Sequence, residues 1–368
     1  MAETADIIVI GGGIAGASAA CELQASAKVI LLEREERPGL HATGRSAALF
    51  SETYGNETIR RLTRASRTFL TEPPDGFCET PLLSPRGALF IADETQVGEL
   101  DGLAAGSPDD FQRFSSDEVR RLVPIVRLAA SAAGLYEVGA MDIDVDALLQ
   151  GFLRGFRRRG GKLVADAAAT AMRRDAGAWI VMTPQGAFAA PVVVNAAGAW
   201  ADHVAGQAGL APIGLQPKRR TAALIDGPPL DFAAWPLVIE AAERFYFKPD
   251  AGRLLISPAD ETDSEPCDVQ PDNLDIAVAA DRIETATTLT IRRITHRWAG
   301  LRTFAPDRTP VCGFDPRVDG FFWLAGQGGY GIQTSPALAA LAAKLILDAS
   351  DAPDDLAAAV SPTRFASL

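Results

Sequence analysis

Cysteine is scarce, and its spacing excludes several kinds of site. The 368 residues include four cysteines, none in a C-x-x-C pair: Cys21, Cys78, Cys267 and Cys312. Such scatter argues against a disulfide framework, a zinc site and a dithiol redox centre. The three histidines are not spaced for metal binding either, and residues 44–48 lack the second glycine of a hydrolase nucleophile elbow.

Positive charge and long apolar runs are also lacking. Lys and Arg number 35 against 47 Asp and Glu, a net charge of −12, whereas a nucleic-acid binder needs a basic surface. No apolar run approaches the ~18 residues of a membrane span, and no basic leader precedes the apolar strand that begins at Ile7. We therefore expect no nucleic-acid partner and no membrane span. A cytoplasmic location is expected, with peripheral association with the inner membrane as the alternative.

The N-terminal residues predict a strand, a glycine-rich turn, a helix and a second strand. Residues 6–10 form a short run that is apolar from Ile7, residues 11–16 have the pattern G-x-G-x-x-G, and an alanine-rich helix is predicted to about Ala25, before the apolar run Val29–Leu32. Such glycines allow a tight turn and close approach of a pyrophosphate, whose charge the helix N-terminus stabilises. In this context the pattern predicts a dinucleotide-binding βαβ unit.

An acidic residue narrows the choice of dinucleotide. Glu33 ends the second strand 22 positions after Gly11, where a carboxylate accepts hydrogen bonds from a ribose. An acid at this place favours a free 2′-hydroxyl over a 2′-phosphate. The sequence therefore favours FAD or NAD over NADP.

Two further loops favour FAD over NAD. Residues 37–46 are rich in hydroxyls and glycine and suit the length of an extended cofactor. The glycine-rich residues 326–334 precede a helix predicted over 336–347, with Ser335 as its N-cap and Pro336 at its first position. A helix N-terminus at the flavin would stabilise the negative charge of the reduced ring, which NAD enzymes do not need.

Other apolar runs indicate two interleaved units. Residues 192–194 and 321–324 are typical of buried parallel strands, whereas residues 89–91 and 253–256 suit an antiparallel sheet. Helices are also predicted over 145–159 and 199–206. Because nucleotide-type strands occur at the start, middle and end of the chain, we predict two discontinuous domains.

These segments together resemble a known family. The glycine fingerprint, the loop 41–46, the segments 195–200 and 298–302 and the loop 326–334 resemble the D-amino-acid oxidase/glycine oxidase family of FAD amine oxidoreductases. Within it, the chain is most similar to the bacterial FAD-dependent D-arginine dehydrogenases. The resemblance spans essentially the whole length.

The resemblance implies an α/β fold. It consists of an FAD-binding Rossmann-like domain of the glutathione-reductase type and a mixed-sheet substrate domain. We expect the first domain to comprise residues 1–85, 143–208 and 305–368, and the second to comprise residues 86–142 and 209–304. The implied reaction is hydride transfer from the substrate Cα to flavin N5, followed by hydrolysis of the imino acid to a 2-oxo acid and ammonia.

The resemblance also implies the substrate-binding residues. Arg302 matches an arginine that holds the substrate carboxylate in a bidentate grip. Tyr54 and Tyr246 match tyrosines at the substrate, Arg220 matches a second arginine there, and Gly329 would offer its carbonyl to the amine. From the residues alone, Arg302 could instead form a salt bridge on a surface strand, the tyrosines could be core residues, and Arg220 could lie on a solvated basic face.

The predicted cofactor contacts combine the glycine motif with residues implied by the resemblance. They are Gly11, Gly13, Ala15, Gly16, Glu33, Arg34, His41, Ala42, Thr43, Gly44, Arg45, Ser46, Ala47, Ala48, Leu49, Ala169, Gly198, Gly328, Gly329, Tyr330, Gly331, Ile332 and Gln333. Residues 46–57 match a mobile lid over the pocket. No metal ligand is predicted.

Departures from the arginine enzyme suggest a different substrate. Ala88 replaces a glutamate that pairs with the substrate guanidinium, Leu49 replaces a pocket histidine, and Ser51 replaces a threonine. A cationic side chain would then be buried without a partner. We expect a D-amino acid with an apolar or small side chain, against a wall of Leu49, Phe50 and Ala88. Three glutamates in nearby segments remain candidates for binding a cation: Glu52, Glu240 and Glu243.

Flavin attachment and electron acceptor complete the expectations. Related sarcosine oxidases tether FAD through a cysteine near the Arg302 segment, whereas here Cys312 follows ten residues later, so non-covalent FAD is expected. The resemblance implies a dehydrogenase with a quinone-like acceptor, and a monomer or weak dimer. The alternatives are an oxidase of secondary amines such as sarcosine, glycine or proline derivatives, and a catalytically idle flavoprotein for electron transfer or sensing.

Overall fold

The computed structural model describes residues 2–347 and 355–365. The α-helices, in chain order, are α1 (Ile14–Leu23), α2 (Glu57–Thr71), α3 (Val97–Ala105), α4 (Ser116–Leu122), α5 (Val145–Arg158), α6 (Ala201–Gln207), α7 (Asn273–Ala286), α8 (Gly331–Leu347) and α9 (Asp355–Val360). Short 3-10 helices cover Pro108–Asp110, Leu128–Ala130, Gly198–Trp200 and Pro362–Phe365.

The strands alternate with these helices along the whole chain. The first twelve are β1 (Glu3–Thr4), β2 (Ile7–Ile10), β3 (Val29–Leu32), β4 (Leu49–Phe50), β5 (Leu83–Pro85), β6 (Ala88–Ala92), β7 (Phe111–Ser115), β8 (Ala133–Glu137), β9 (Met141–Ile143), β10 (Lys162–Val164), β11 (Ala171–Asp175) and β12 (Ala178–Thr183). They are followed by β13 (Gly186–Ala190), β14 (Val192–Asn195), β15 (Gln216–Ile225), β16 (Leu237–Glu240), β17 (Tyr246–Asp250), β18 (Arg253–Ser257), β19 (Thr262–Asp263), β20 (Ile294–Phe304), β21 (Val311–Phe314), β22 (Phe321–Ala325) and β23 (Gln327–Gly328).

A six-stranded sheet carries the predicted nucleotide motif. Its order is β10-β3-β2-β14-β22-β21, and all neighbours are parallel except β21 and β22. Ile7 and Val9 face a core formed with α1, α5 and α8, whereas Ile8 and Ile10 face a second core with the sheet β1-β13-β12-β11. Because both faces are covered, its central strands are apolar at nearly every position.

A ten-stranded mixed sheet forms the other large unit. Its main path is β23-β20-β15-β18-β17-β16-β6-β8-β7, with β19 paired to β15, and only β16 and β6 run parallel. One face packs on α7 in a core that includes Phe247 and Ile256. A small sheet of β4, β9 and β5 lies beside it. The predicted α/β class with a mixed sheet is confirmed.

The strand and helix predictions for the βαβ unit and for 145–159 agree with the structure to within about two residues. The predicted start of the last long helix is wrong. Helix α8 begins at Gly331, so Ser335 is not its N-cap and Pro336 lies inside it. Pro336 has no N–H for the carbonyl of Ile332, and the Ser335 hydroxyl donates to that carbonyl instead, at 3.0 Å. The helix therefore tolerates the proline.

The predicted domain division stays a prediction, but the two larger sheets follow it closely. Every strand of the six-stranded sheet comes from a segment predicted for FAD binding, and the ten-stranded sheet takes only β23 from such a segment. Residues 1, 348–354 and 366–368, which the division also assigns to the FAD domain, lie outside the described residues.

Candidate active site

One elongated cavity of about 1020 Å³ connects the two large sheets. At one end it is lined by the turn after β2, by the loop after β3 and by residues 196–200, which directly follow β14. At the other end it is lined by β15, β17 and β20 and by residues that lead into α8. We call these the nucleotide end and the substrate end.

Backbone geometry shapes the nucleotide end. Gly11 has a φ of +109°, and a Cβ there would lie 2.4 Å from the carbonyl oxygen of Ala196. A Cβ on Gly16 would lie 1.8 Å from the oxygen of Gly11, so this glycine allows α1 to pack on the turn. Gly13 caps α1 in an extended conformation without a side chain in the way. The free N–H groups of the helix can therefore face a phosphate.

Glu33 is the buried acid of this end. Its Oε2 accepts from the Gly12 N–H at 2.7 Å, and its Oε1 accepts from the Glu35 N–H at 2.9 Å. The side chain lines the cavity, although the residue is only 6% exposed. Burial raises the pKa of Glu33, while the two N–H groups oppose that shift. A hydroxyl-bearing ligand such as a ribose suits this acceptor.

Two residues of the loop after β3 pack on Trp200. The Arg34 guanidinium lies 4.3 Å from the centroid of the Trp200 ring, and the His41 ring is tilted against it with centroids 4.8 Å apart. His41 Nε2 lies 2.8 Å from Glu35 Oε1. The sequence segment 195–200 includes Trp200 but does not mark it as a cofactor contact. In the structure it lines the cavity next to Arg34 and His41, two predicted contacts.

Arg45 lines the cavity, but its guanidinium is occupied by protein groups. Its nitrogens donate to the carbonyls of Leu40, Val269 and Ala299, and it pairs with Asp268. Arg45 thereby fastens the segment 264–269, which closes one side of the cavity, to the cofactor loop. Only the backbone and the aliphatic part of the Arg45 side chain therefore remain for contact with a cofactor.

Two glutamines that line the cavity each have a buried side-chain atom without a hydrogen-bond partner. Among the described residues, three buried side-chain atoms lack a hydrogen-bond partner, and two of them, Gln207 Oε1 and Gln327 Nε2, belong to cavity-lining residues. An acceptor and a donor left unpaired would each cost stability without a ligand. The glycine turn and Glu33 are the features that fit FAD, because its pyrophosphate needs N–H donors and its ribose needs an acceptor.

Arg302 is the central residue of the substrate end. It stands on β20 and lines the cavity, with its Nη1 3.5 Å from the Tyr54 hydroxyl. Burial lowers its pKa, but the hydroxyls of Tyr54 and Tyr246 outweigh that, and the net shift is upward. No ion pair among the described residues includes Arg302. The guanidinium is therefore charged and lacks an anion.

The surroundings of Arg302 are tight. A Cβ on Gly329 would lie 2.8 Å from Arg302 Cζ, so any larger residue there would displace the guanidinium. The rings of Tyr54 and Tyr330 pack with centroids 4.8 Å apart. Burial raises the pKa of Tyr330, so its hydroxyl stays neutral. No carboxylate or imidazole that could act as a base is supplied by these neighbours, which are Tyr54, Tyr246, Tyr330 and Gly329.

Arg220 differs from Arg302 because it has partners. From β15, its Nε donates to the Asp260 carbonyl at 2.7 Å, and its Nη2 lies 3.2 Å from Glu261 Oε1. Glu261 is also bound by Arg308, at 3.0 Å. Arg220 lines the cavity and shares one carboxylate with a second arginine. The prediction that it lies at the substrate is compatible with this position.

The structure brings most of the predicted residues to this cavity. Those that line it are Gly11, Gly13, Ala15, Glu33, Arg34, His41, Ala42, Thr43, Arg45, Ser46, Ala47, Ala169, Gly198, Arg220, Tyr246, Arg302, Gly328, Gly329, Gly331 and Ile332. Tyr54 and Tyr330 lie near Arg302 but do not line the cavity. Whether each lining residue touches the cofactor stays a prediction.

Six predicted cofactor contacts do not line the cavity: Gly16, Gly44, Ala48, Leu49, Tyr330 and Gln333. Gly16 and Gly44 permit close backbone packing, since a Cβ on Gly44 would lie 2.6 Å from the oxygen of Gly39. Gln333 is 2% exposed, and its side chain accepts from the Ser51 N–H and donates to the Thr63 hydroxyl. Leu49 pairs with Asp142 across the small sheet.

The expected apolar wall is not part of the cavity. Strand β4 turns Phe50 into the core of the six-stranded sheet, where it is fully buried, and Ala88 and Leu49 pack in a core of the ten-stranded sheet. Two of the candidate cation-binding glutamates are already paired, Glu52 with Arg67 and Glu240 with Arg244. Neither they nor Glu243 lines the cavity.

Sequence reasoning also missed Glu137. This carboxylate ends β8, directly opposite Ala88 in the antiparallel pairing, and is 3% exposed. No motif marks it, because only the sheet register brings it near the segment before Tyr54.

Two other kinds of site are absent from residues 2–347 and 355–365. No three His, Cys, Asp or Glu side chains are grouped so that they could hold a metal ion. No helix there has the length and apolar character needed to cross a membrane.

Comparison with known proteins agrees with this geometry. YurR, an uncharacterized oxidoreductase of Bacillus subtilis (strain 168), is 26% identical over 360 residues, which cover 92% of this chain and 94% of that protein. Glycine oxidase of Geobacillus kaustophilus is 23% identical, and its crystal structure superposes with a TM-score of 0.81 over 96% of this chain and 97% of that one. L-proline dehydrogenase from P. horikoshii is 21% identical, with a TM-score of 0.85 over 100% and 99% of the two chains.

These solved structures share the fold. The family described as FAD dependent oxidoreductase (DAO) matches residues 6–345, nearly the whole chain. Its cofactor, FAD, is the one that the glycine turn and Glu33 fit. The chain therefore belongs to the DAO family of FAD-dependent oxidoreductases.

Proposed function

We propose that the chain oxidises the Cα–N bond of a D-amino acid with an apolar or small side chain. The observation that carries this proposal is Arg302, a charged guanidinium without an anionic partner that faces the FAD cavity. A carboxylate that binds both edge nitrogens would supply the missing charge and fix the orientation of the substrate.

FAD supplies the hydride acceptor when bound. The chain's own residues then position the substrate: Arg302 holds the carboxylate, and the carbonyl of Gly329 accepts from the amine. The amine lone pair forms the C=N bond as the Cα hydrogen leaves with its electron pair. No protein base is needed if the amine binds neutral, and the tyrosines around Arg302 supply none. Positioning therefore carries most of the catalysis.

The surroundings of Arg302 support a neutral substrate side chain. Two of the three candidate glutamates are held by arginines of their own, Glu52 by Arg67 and Glu240 by Arg244. The third, Glu243, is exposed and does not line the cavity, although its charge acts on Tyr330. A cationic side chain at Arg302 would lose its hydration without gaining a buried partner. Since Leu49, Phe50 and Ala88 do not form the wall, the preference for an apolar side chain rests on the positions of these three glutamates.

A secondary amine is the second candidate. The similar proteins named above include a glycine oxidase and an L-proline dehydrogenase, whose substrates also present a carboxylate beside the reacting C–N bond. The same grip by Arg302 suits N-methylglycine. Peroxide released in air with N-methylglycine would favour this candidate and an oxidase, whereas the resemblance to D-arginine dehydrogenases favours a quinone-like acceptor.

Anaerobic reduction of the flavin separates these candidates. The holoenzyme is mixed with each member of a D- and L-amino-acid panel and with N-methylglycine, and loss of flavin absorbance is followed. We expect small or apolar D-amino acids to react fastest. If D-Arg and D-Lys rank first, the proposed substrate class is wrong. Reduction by none of them, with FAD bound, would support an electron-transfer or sensing flavoprotein.

We also propose that FAD is held without a covalent bond and that residues 1–85, 143–208 and 305–368 form its domain. Cys312 is fully buried in the core, whereas Cys267 is an exposed cysteine in the cavity wall. Acid precipitation should release all flavin into the supernatant from wild type and from Cys267→Ser alike. Flavin that stays with the wild-type protein but not with the variant would contradict the proposal.

A further inference from the structure

A buried carboxylate lies behind the substrate end without a cation. Glu137 is 3% exposed and belongs to no ion pair among the described residues. Its Oε2 accepts from the Ser51 hydroxyl at 2.8 Å and from the Thr53 hydroxyl at 2.9 Å. Arg67, whose pKa Glu137 helps to raise, is bound to Glu52. The carboxylate thus accepts hydrogen bonds from one short segment, residues 51–53, including the backbone of Glu52.

That segment is also held from the opposite side. The Ser51 N–H donates to Gln333 Oε1 at 3.0 Å, and Gln333 Nε2 donates to the Thr63 hydroxyl at 2.9 Å. Gln333 lies in the first turn of α8, which follows the glycine-rich residues at the FAD cavity. Residues 51–53 are therefore fastened between the ten-stranded sheet and the helix that starts beside the flavin site.

The next residue is Tyr54, whose hydroxyl lies 3.5 Å from Arg302 Nη1. Within residues 2–347 and 355–365, the one aromatic ring that packs on Tyr54 is that of Tyr330. The position of Tyr54 against the guanidinium depends on the path of residues 51–53. An ionised carboxylate only accepts, so both hydroxyls must turn toward it, which fixes their rotamers.

We propose that Glu137 is a positioning residue that, through Ser51 and Thr53, holds Tyr54 against Arg302 and so sets the affinity for the substrate carboxylate. This inference rests on the proposed function, in which Arg302 binds that carboxylate. If the Glu137 carboxylate were purely structural, its removal would lower the stability of the whole protein and change nothing else. Glu137 affects the local opening of residues 51–54 and carboxylate binding as well.

Two measurements on the holoenzyme test the inference. Benzoate, a carboxylate without an oxidisable amine, is titrated through the flavin absorbance, and hydrogen exchange is followed in residues 51–54. We expect Glu137→Leu to raise the benzoate Kd about tenfold and to speed that exchange, because both hydroxyls lose their acceptor. Glu137→Gln, which keeps one acceptor oxygen, should give an intermediate effect.

Glu240→Gln is the matched control. Glu240 is a glutamate of the same sheet, 4% exposed, but it is bound to Arg244 and Gln96 and does not touch residues 51–54. It should leave both measurements unchanged. If Glu137→Leu does not fold, Ser51→Ala/Thr53→Val breaks the same bonds from the other side and should give the same result.

The outcomes distinguish this inference from the proposed function. A folded Glu137→Leu protein with wild-type exchange in residues 51–54 would overturn the inference, as would wild-type benzoate affinity when Arg302→Met abolishes binding. If Arg302→Met binds benzoate like wild type, the proposed function fails instead, and hydrogen exchange alone then decides whether Glu137 fastens the segment.

Discussion

The two ends of the cavity are built in different ways. At the nucleotide end, a backbone turn of residues 11–16, which are close in sequence, lies beside the side chains of Arg34, His41 and Trp200, and the buried charge of Glu33 accepts two backbone N–H groups. At the substrate end, the wall is made of side chains from β15, β17 and β20, and its charge, Arg302, has no ionic partner.

This difference separates a charge that is satisfied within the folded protein from a charge that needs a ligand. A buried charge that is satisfied internally can stabilise the fold before any ligand binds. A charge that lacks a partner costs free energy until a ligand supplies one. The nucleotide end is therefore complete as a folded turn, whereas the substrate end is completed by its substrate. Substitutions at the two ends should break different properties.

The largest effect is expected from Arg302→Met. Truncating one partner of a buried charge pair costs about 2–5 kcal/mol, so kcat/KM should fall by roughly thirtyfold to several thousandfold. FAD content should not change, because the nucleotide end does not use this side chain. Steady-state kinetics with the best substrate of the panel, together with the flavin-to-protein absorbance ratio, measure both quantities.

Arg297→Met is the control for that variant. Arg297 lies on the same strand, five residues away, so its side chain leaves the opposite face and is exposed. It should keep wild-type kinetics. Equal losses in the two variants would mean that β20 itself is damaged and that the contrast between the two ends is unsupported.

A smaller effect is expected from Gly329→Ala. The new Cβ would lie 2.8 Å from Arg302 Cζ and would push the guanidinium aside without removing its charge. Displacement by about 1 Å can cost up to roughly a hundredfold in rate, so we expect a ten- to hundredfold loss in kcat/KM. Gly102→Ala, in α3 with no atom near the added Cβ, is the control and should behave like wild type.

The sequence predicted the nucleotide end far better than the substrate end. The glycine spacing and Glu33 lie within one βαβ unit, so local pattern alone determines their arrangement. Ser335 and Pro336 were placed wrongly, because the rule for a helix start ignores that a serine hydroxyl can replace the N–H that proline lacks. At Gly11 and Gly16 no other residue can take the place of glycine, because a Cβ there would clash with a backbone oxygen.

At the substrate end, the residues come from distant parts of the chain. Tyr54, Tyr246 and Arg302 were identified only through the resemblance, since no spacing rule connects them. Glu137 had no signal at all, because its contact with Ser51 depends on the register of β8 against β6. The wall expected from Leu49 and Ala88 failed for the same reason: sheet pairing, which a single sequence does not show, turns them into a core.

Glu33→Gln tests the nucleotide end. The amide nitrogen would face the Glu35 N–H, donor against donor, and the negative acceptor for the ribose would be lost. One charge-assisted hydrogen bond is worth about 1.5–3 kcal/mol, so the Kd for FAD should rise roughly ten- to hundredfold while KM on the reconstituted enzyme stays near wild type. The exposed Glu36→Gln is the control, and flavin release on dilution is the measurement.

The pKa of Glu33 adds a dependence on pH. Because burial raises this pKa above the ordinary value of 4.5, the carboxyl protonates at a higher pH than an exposed glutamate does. The ionised form accepts more hydrogen bonds, so FAD affinity should be full at neutral pH and should fall as the pH is lowered through the raised pKa. Glu33→Gln should lack this fall, and an identical fall in the variant would assign it to another group.

The smallest effect is expected from Tyr54→Phe. Its hydroxyl is 3.5 Å from Arg302 Nη1, a long contact, so its loss should raise KM about threefold and leave kcat nearly unchanged. Tyr136→Phe is the control, because that tyrosine packs on Phe114 in the sheet, away from the cavity. If Tyr54→Phe instead lowers kcat as strongly as Arg302→Met lowers kcat/KM, the hydroxyl takes part in the chemical step. The substrate end would then contain a catalytic group as well as a binding charge, and its contrast with the backbone-built nucleotide end would be sharper than the geometry alone indicates.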